Sequence, residues 1–555
     1  MKRNLVCVAC LVCLLPAAAT AAGAQDNRLV DELIDNIVAN ERGLIETLRG
    51  YTPLLETYLQ ELAAPEDPDA LPARDHYMVG QLDLSKGVNH VAFFESEGFH
   101  PPEKKRRLGF LPKKQEGSYF IAEGFAQMVL LDAYHFDRET YSFQYLRREF
   151  LGQVRCFVFD VTPRDANDPG RFVGRIWVED RGHHIVRFNG TYTQSRSTGL
   201  FFHFDSWRVN AAADLWTPAY IYIEDADLLG PRGENVRFKG QTRVWGYNRK
   251  PVNRLDELTE ILVAAEGAVE DESRAADTTP LESQREWMRQ AEENVIRRLE
   301  RSGLLAPPSE VDKVLDTVVR NLMTGSEVRL PVRCRVLLTT PLETFSLGES
   351  IVISRGLIDV LPDEASLAMV LSDELAHILL GHRTDTMFAF SDKTMFEDAE
   401  ILDELRLARG PEEMEAASRK AGELLAGSPY KDDLANAGLF LKVLTSRGAA
   451  LTNLIQANLG NQLASGGHLL RLAELAANAP ELHEEKMEQI AALPLGSRIK
   501  LDPWSNALTL IETKPVALLS ARDKMPFEVT PFSPQLAHLS GQLKAEKPAQ
   551  TAQRR

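Results

Sequence analysis

Two changes in the spacing of apolar residues divide the chain. In NRLVDELIDNIVANERGLIETL, which begins at Asn27, residues Val30, Leu33, Ile34, Ile37 and Val38 recur at helical spacing and predict an amphipathic helix. The run APEDPDALP (64–72) breaks that pattern, so 25–75 is expected to be a helical N-terminal segment. From about 76 to 248 the period becomes two. In VRFKGQTRVWGYN, Val236, Phe238, Thr242 and Val244 share one face and Arg237, Lys239, Gln241 and Arg243 the other. CFVFDVT, RFVGRIWVED, HHIVRFNGTYT, LFFHFDSWRV and AYIYIED read the same way, which predicts an antiparallel sheet or partly open barrel. His183 and His184 would alternate across a strand and could not both face one metal.

Helical spacing returns after an acidic, irregular linker at 249–279. Thr279-Pro280-Leu281-Glu282 combines a capping box with proline at the first helical position, and that helix should end near Ser302-Gly303. In VDKVLDTVVRNLM, Val311, Val314, Leu315, Val318, Val319 and Leu322 form a face that must be buried. Strand-like VRCRVLL and FSLGESIVISRGLIDVL precede a helix holding SDELAHILLGH (372–382), and from about 400 the chain reads as mostly helical. IKLDPWSNALTLIE predicts a hairpin around Pro503 to Asn506, within an extension at 501–540, before a disordered tail at 541–555. The fold class expected is α+β: a β-rich domain at 76–248, then a mainly helical domain with a small sheet at 280–500.

Composition adds bounds. A length of 555 residues predicts about three domains, and 44% hydrophobic with 26% charged residues is globular. Lys2, Arg3, the apolar run Leu5 to Leu15 and Ala22-Gly23-Ala24 read as a signal peptide cleaved after Ala24, giving a secreted or periplasmic protein. The apolar run is too short to span a bilayer, so no membrane-spanning segment is expected after cleavage. Only Cys156 and Cys334 would then remain, which excludes a disulfide framework or a cysteine zinc site. The net charge of −17, more negative by two once Lys2 and Arg3 leave, disfavours nucleic acid as a partner. The basic stretch PPEKKRRLGFLPKK (101–114) reads as a solvated loop, with a contact to anionic lipid or a partner protein as the alternative.

SDELAHILLGH carries the candidate chemistry. In an H-E-x-x-H zinc peptidase, two histidines one turn apart bind the metal and the glutamate between them activates its water. Here Asp373 and His377 hold the ligand positions and Glu374 the position of the base. With its surroundings, SIVISRGLIDVLPDEASLAMVLSDELAHILLGHR resembles zinc metallopeptidase family M48, which includes the CAAX prenyl proteases and periplasmic quality-control proteases. The resemblance covers roughly 280–500 and implies a gluzincin-type domain. His382, five residues past His377 and about 140° further around a continuous helix, is expected to pack rather than ligate. A weaker likeness, centred on GRIWVEDRGHHIVRFNG, is to the half-barrel of periplasmic lipoprotein carriers.

The matched positions depart from the family at four places. Asp373 stands for a histidine, Met414 for the later glutamate ligand, Ser418 for an aspartate and Leu493 for a histidine in a later turn, where Arg498 remains. A thioether is a poor zinc ligand. The metal set the resemblance leaves is Asp373, His377 and a shifted Glu413 or Glu415, predicting weak or absent zinc and reduced or absent activity. Three functions stay open. One is a pseudopeptidase that binds peptide or protein. Another is an active metalloendopeptidase with Glu374 as base and an extended peptide on Phe345, Ser346, Leu347 and Gly348. The third is lipid or lipoprotein binding by the β domain.

Overall fold

The computed structural model describes residues 16–62, 72–85, 87–94, 120, 122–193, 202–229, 235–247, 280–324, 330–384, 401–402, 404–483, 499–511, 527–529 and 534–539. The basic stretch 101–114, the linker 249–279, Leu493, Arg498 and the tail 541–555 lie outside them. Helix α1 spans Pro16–Leu48, running through the expected cleavage point at Ala24. Among the described residues no helix is long and apolar enough to cross a membrane.

Period-two patterning builds one ten-stranded sheet in the order β3-β2-β1-β10-β9-β8-β7-β6-β5-β4. Its strands are β1 Leu54–Leu62, β2 Pro72–Asp83, β3 Asn89–Ala92, β4 Tyr141–Leu151, β5 Val154–Pro163, β6 Phe172–Glu179, β7 Ile185–Tyr192, β8 Phe204–Ala212, β9 Leu215–Leu229 and β10 Asn235–Trp245. Neighbours pair antiparallel throughout, and β3 and β4 stand at opposite ends, so the sheet is open rather than a closed barrel. The segment expected to be helical to 75 is helix only to Leu48. Leu54–Leu62 is instead strand β1, the third of the ten strands, between β2 and β10. Burial on both faces hides its alternation, since Leu54 and Tyr58 pack one way and Leu55 and Leu59 the other.

On one face, the sheet's own Phe172, Phe188 and Phe204 pack into one cluster with Ile34, Ile37, Leu44 and Leu48 of α1 and with α2 (Ala122–Gln127). Arg208 of β8 ties α1 down through two 2.6 Å bonds to Glu41, each side chain 1% exposed. His183 and His184 lie in the turn between β6 and β7, not on a strand, because His183 takes a left-handed φ of 65°.

The opposite face, with Leu54, Tyr58, Trp207 and Trp245, joins one hydrophobic cluster with the C-terminal region, and Arg243 of β10 donates to the Thr340 hydroxyl at 3.3 Å. Helices α3 (Pro280–Ser302), α4 (Glu310–Leu322), α5 (Arg355–Val360), α6 (Glu364–Leu379), α7 (Pro411–Ala426), α8 (Ala435–Arg447), α9 (Thr452–Ile455) and α10 (Ala473–Asn478) build that region. They surround a four-stranded sheet, order β11-β13-β12-β14, made of β11 Arg333–Leu337, β12 Glu343–Leu347, β13 Ser350–Ser354 and β14 Asn461–Gln462. Val314, expected in the buried face of α4, is 44% exposed. Short pairs β15 Ala464–Ser465 with β16 His468–Leu469, and β17 Ile499–Leu501 with β18 Leu508–Leu510, complete the count, the second being the expected hairpin.

Two buried carboxylates join the regions. Glu56 of β1 accepts from the Thr340 backbone N–H at 2.6 Å and hydroxyl at 2.8 Å. Asp75 of β2 accepts from the N–H groups of Asn453 (2.9 Å) and Leu454 (2.7 Å), satisfying donors in the first turn of α9. Burial raises the Asp75 carboxyl above its ordinary range, and these donors offset part of that rise.

Candidate functional site

Helix α6 carries the near-signature through the centre of the C-terminal core. Its N-cap is Asp363, in extended backbone, accepting from the Ser366 N–H at 2.8 Å. From Ala368 to His377 every residue is buried, so Asp373, Glu374 and His377 are enclosed by protein and each is 0% exposed. An unpaired carboxylate there would be very costly, and two adjacent ones must be met by a cation or by protonation.

That cation is Arg471. Its side chain is 0% exposed, and its Nη1 donates to Asp373 Oδ2 at 2.8 Å and to Glu374 Oε1 at 2.7 Å. Nη2 donates to the Thr344 hydroxyl at 2.8 Å and to the Asn461 carbonyl at 3.3 Å. Thr344 in turn donates to Glu374 Oε1 at 2.6 Å, and the Asn461 side-chain amide adds a third donor at 3.1 Å. Ser418 of α7, accepting from the Leu472 N–H at 3.1 Å, donates to Asp373 Oδ1 at 3.0 Å.

The loop bearing Asn461 and Arg471 is built for this approach. Glu343 accepts from the N–H groups of Leu459 (2.8 Å) and Gly460 (3.0 Å), and β14 then pairs with β12 as Glu343↔Gln462 and Thr344↔Asn461. A β-carbon on Gly460 would lie 2.4 Å from the Thr344 carbonyl, so only glycine permits that contact. Leu472 adopts a left-handed φ of 59° directly after Arg471, a strained conformation for leucine that aims its N–H at Ser418.

One guanidinium facing two carboxylates separates their proton affinities. Burial raises the Asp373 carboxyl; Arg471 only partly reverses this, and the Glu374 charge reinforces it. Burial also opposes ionisation of Glu374, yet Arg471, then His377 and the Thr344 and Asn461 donors, hold its carboxyl below the usual range. Glu374 is thus the ionised partner and Asp373 the more readily protonated one. Burial pushes His377 down to about 4, so its imidazole is neutral near pH 7.

His377 Nδ1 lies 2.8 Å from His382 Nδ1. The angular expectation for His382 fails because α6 stops: Leu379 is its last residue, and Gly381, at φ +71°, turns the chain back. His377 Nε2 and Glu374 Oε2 are buried without hydrogen-bond partners among the described residues.

The other expected residues are placed differently. Glu415 pairs with Arg419 and its side chain is 75% exposed, while Asp373 is enclosed. Glu413 is half-buried and Met414 borders a neighbouring cavity. No three or more histidine, cysteine or acidic side chains among the described residues form a group able to hold a metal ion. Asp373, His377 and Glu413 or Glu415 therefore do not converge: Glu413 and Glu415 lie one residue to either side of Met414, and a slip of one residue along α7 turns a side chain by about 100°. Phe345, Ser346 and Leu347 are buried, and Gly348 makes the β12–β13 turn at φ +58°. β12 is not an open edge: β13 pairs along one side, β14 covers Glu343–Thr344 on the other, and Ser346 O accepts from Arg409 Nη2 at 3.0 Å and Thr384 Oγ1 at 3.1 Å.

Zinc does not fit this donor set. A structural or catalytic site needs three or four protein ligands. Here one Asp373 oxygen and one Glu374 oxygen are committed to a guanidinium and the second Asp373 oxygen to Ser418, which leaves two uncommitted atoms, His377 Nε2 and Glu374 Oε2, fewer than such a site needs. A divalent ion would also meet the Arg471 charge at contact distance. Sequence reasoning missed Arg471, Asn461 and Thr344. Arg471 follows Asp373 by 98 residues in HLLRLAEL, where an arginine reads as an exposed helix residue, and no fixed spacing marks it.

The family model of peptidase family M48 matches residues 311–408, from α4 to the residues just before α7. None of the curated proteins compared with the chain matches it. The matched segment contains Asp373, Glu374 and His377 but not Ser418, Asn461 or Arg471.

Proposed function

We propose that the C-terminal region is a non-catalytic relative of a zinc metallopeptidase, a pseudopeptidase that binds a peptide or protein partner outside the cytoplasm. The observation carrying this reading is the Arg471 guanidinium between Asp373 and Glu374. It supplies from within the chain the positive charge that a metal supplies in an active site, so the carboxylates stay buried and the helix stays folded. A guanidinium cannot lower the pKa of a bound water or polarise a scissile carbonyl as zinc does. Glu374 is 0% exposed and its carboxyl is held below the usual range, which makes it a weak base enclosed by protein.

The test is zinc content of the purified full-length chain after dialysis, beside hydrolysis of unfolded casein with and without added zinc. The expected result is well under one zinc per chain and hydrolysis no greater than that of Glu374→Gln. One retained zinc per chain, with hydrolysis that Glu374→Gln removes, would overturn the reading.

A further inference from the structure

The N-terminal sheet reaches toward the Asp373 and Glu374 cluster through Glu56 of β1 and Asp75 of β2. Each carboxylate is oriented by a tyrosine of the neighbouring strand. The Tyr77 hydroxyl donates to Glu56 Oε1 at 3.0 Å and the Tyr58 hydroxyl to Asp75 Oδ2 at 3.2 Å, and the two tyrosines are partners in the β1–β2 register. All four residues are 3% exposed or less. In such a setting a hydrogen bond is strong and a lost one costly.

What these acids hold are the two segments that complete the cluster. Glu56 takes both the N–H and the hydroxyl of Thr340, just ahead of β12, whose Thr344 donates to Glu374. Thr340 is closed in from its other side by α5, where a β-carbon on Gly356 would lie 1.7 Å from the Thr340 carbonyl and the Gly356 N–H donates to Thr339 O at 3.1 Å. Asp75 takes the N–H groups of Asn453 and Leu454 in α9, and its own carbonyl accepts from the Asn453 side chain at 2.8 Å. From α9 the chain runs through Leu459 and Gly460 to Asn461 and on to Arg471. The two segments are also laced to each other. Leu342 N–H donates to Leu454 O at 2.7 Å, Glu343 accepts from Leu459 and Gly460, and Thr344 pairs with Asn461. Thr344, Asn461 and Arg471, the donors to Glu374, therefore all follow a point anchored to the sheet.

We infer that Glu56 and Asp75 are positioning residues for the Asp373 and Glu374 cluster, so that the N-terminal sheet is a working part of the site. Neither acid touches the cluster. Each fixes where a segment starts, and the segments deliver hydroxyl, amide and guanidinium to hydrogen-bond distance. Loss of such an anchor opens the segments locally while the rest of the molecule stays folded. The Glu41 pair with Arg208 supplies the contrast, because it is equally buried but ties α1 to the other face of the same sheet. A cleaving site and a non-cleaving one would both need these segments in place, so the inference stands apart from the question of zinc.

Hydrogen–deuterium exchange of the full chain, read by mass spectrometry over 463–472, tests this at amides that neither acid touches. Asp75→Asn keeps the side-chain size and replaces an acceptor by a donor facing Leu454. Exchange over 463–472 should rise about tenfold, the signature of a local opening. The ring signals of His377 in protein labelled at histidine, assigned with His377→Gln, should shift as the donors to Glu374 loosen. Glu56→Gln should act in the same direction through Thr344. Glu41→Gln should lower the urea midpoint yet leave both the exchange over 463–472 and the His377 signals in place. If Asp75→Asn does not fold, Tyr58→Phe decides, with a rise of about threefold expected for an anchor that has lost one of its hydrogen bonds. Exchange and ring signals unchanged in the Asp75 or Tyr58 variant, or changed equally by Glu41→Gln, would overturn the inference.

Discussion

Two arginines are buried to the same extent in this molecule, and they do different things. Arg208 faces one carboxylate, Glu41, in a symmetric pair whose two bonds are both 2.6 Å. Arg471 faces two carboxylates, Asp373 and Glu374, and reaches them with a single nitrogen while the other engages Thr344 and Asn461. The Arg208 pair is neutral and closed. The Arg471 cluster has one carboxylate in excess, so one acid is driven toward its protonated form and the other toward its ion. A pair of the first kind is a tie between elements. The second kind carries a charge imbalance, kept in place by hydroxyls and amides.

The comparison breaks most visibly if the cation is removed. Arg471→Leu and Arg208→Leu should each lower unfolding free energy by about 3–5 kcal/mol, the cost of stranding a buried charge, as read from urea unfolding. The rescue should differ: adding Glu41→Leu to Arg208→Leu restores most of the loss. For Arg471→Leu, Glu374→Gln restores more than Asp373→Asn, because Glu374 is the ionised member. Rescue by Asp373→Asn alone would reverse the assignment of charge. In the wild-type background, Glu374→Gln should cost about 1.5–3 kcal/mol, as expected for losing hydrogen bonds to a charged group.

The acid limb of stability sharpens the contrast. His377 is held at about 4 when folded, below its ordinary 6.5, so the unfolded chain binds more protons between those values. Its contribution is fully present above pH 6.5 and is lost as the pH falls toward 4. Glu374, also lowered, acts with the same sign below its ordinary value of 4.5, whereas Asp373, raised above 3.8, acts with the opposite sign just above that value. His377→Gln should therefore flatten the dependence of the urea midpoint on pH between 4 and 6.5, and an unchanged slope would place the titrating group elsewhere. Asp373→Asn should cost less than Glu374→Gln in the same urea unfolding, because Asp373 is the more readily protonated of the two and asparagine keeps an oxygen for Arg471. Smallest of all, a chelator or added zinc should leave the thermal midpoint within error. A rise with zinc would mean that the folded state binds the metal after all.

Much of the framework was legible in local pattern. The helix predicted from Pro280 to Ser302 lies at Pro280–Ser302, and the hairpin around Pro503 to Asn506 closes as β17 and β18, because caps, prolines and periodicity act over a few residues. Strand β1 escaped notice because burial on both faces removes the alternation that marks a half-buried strand. His382 was placed by a helical angle that holds only while a helix continues, and Gly381 ends it. Of the site, Asp373, Glu374 and His377 were visible as an altered motif on one helix, whereas their partners were not.

By itself the sequence determined the helix that carries those three residues, and its departures at Asp373, Met414 and Ser418 were the ground for expecting a weakened metal site. It did so because ligand spacing on a helix is a local property, written within one turn. Only the tertiary structure decided what lies opposite them. Arg471 reaches Asp373 across 98 residues through a loop positioned by Glu343, Gly460 and a left-handed Leu472. Nothing in the order of residues fixes such a meeting. It is settled by packing, since two carboxylates enclosed by protein must be met by a cation or by protonation, and the fold brings Arg471 to them.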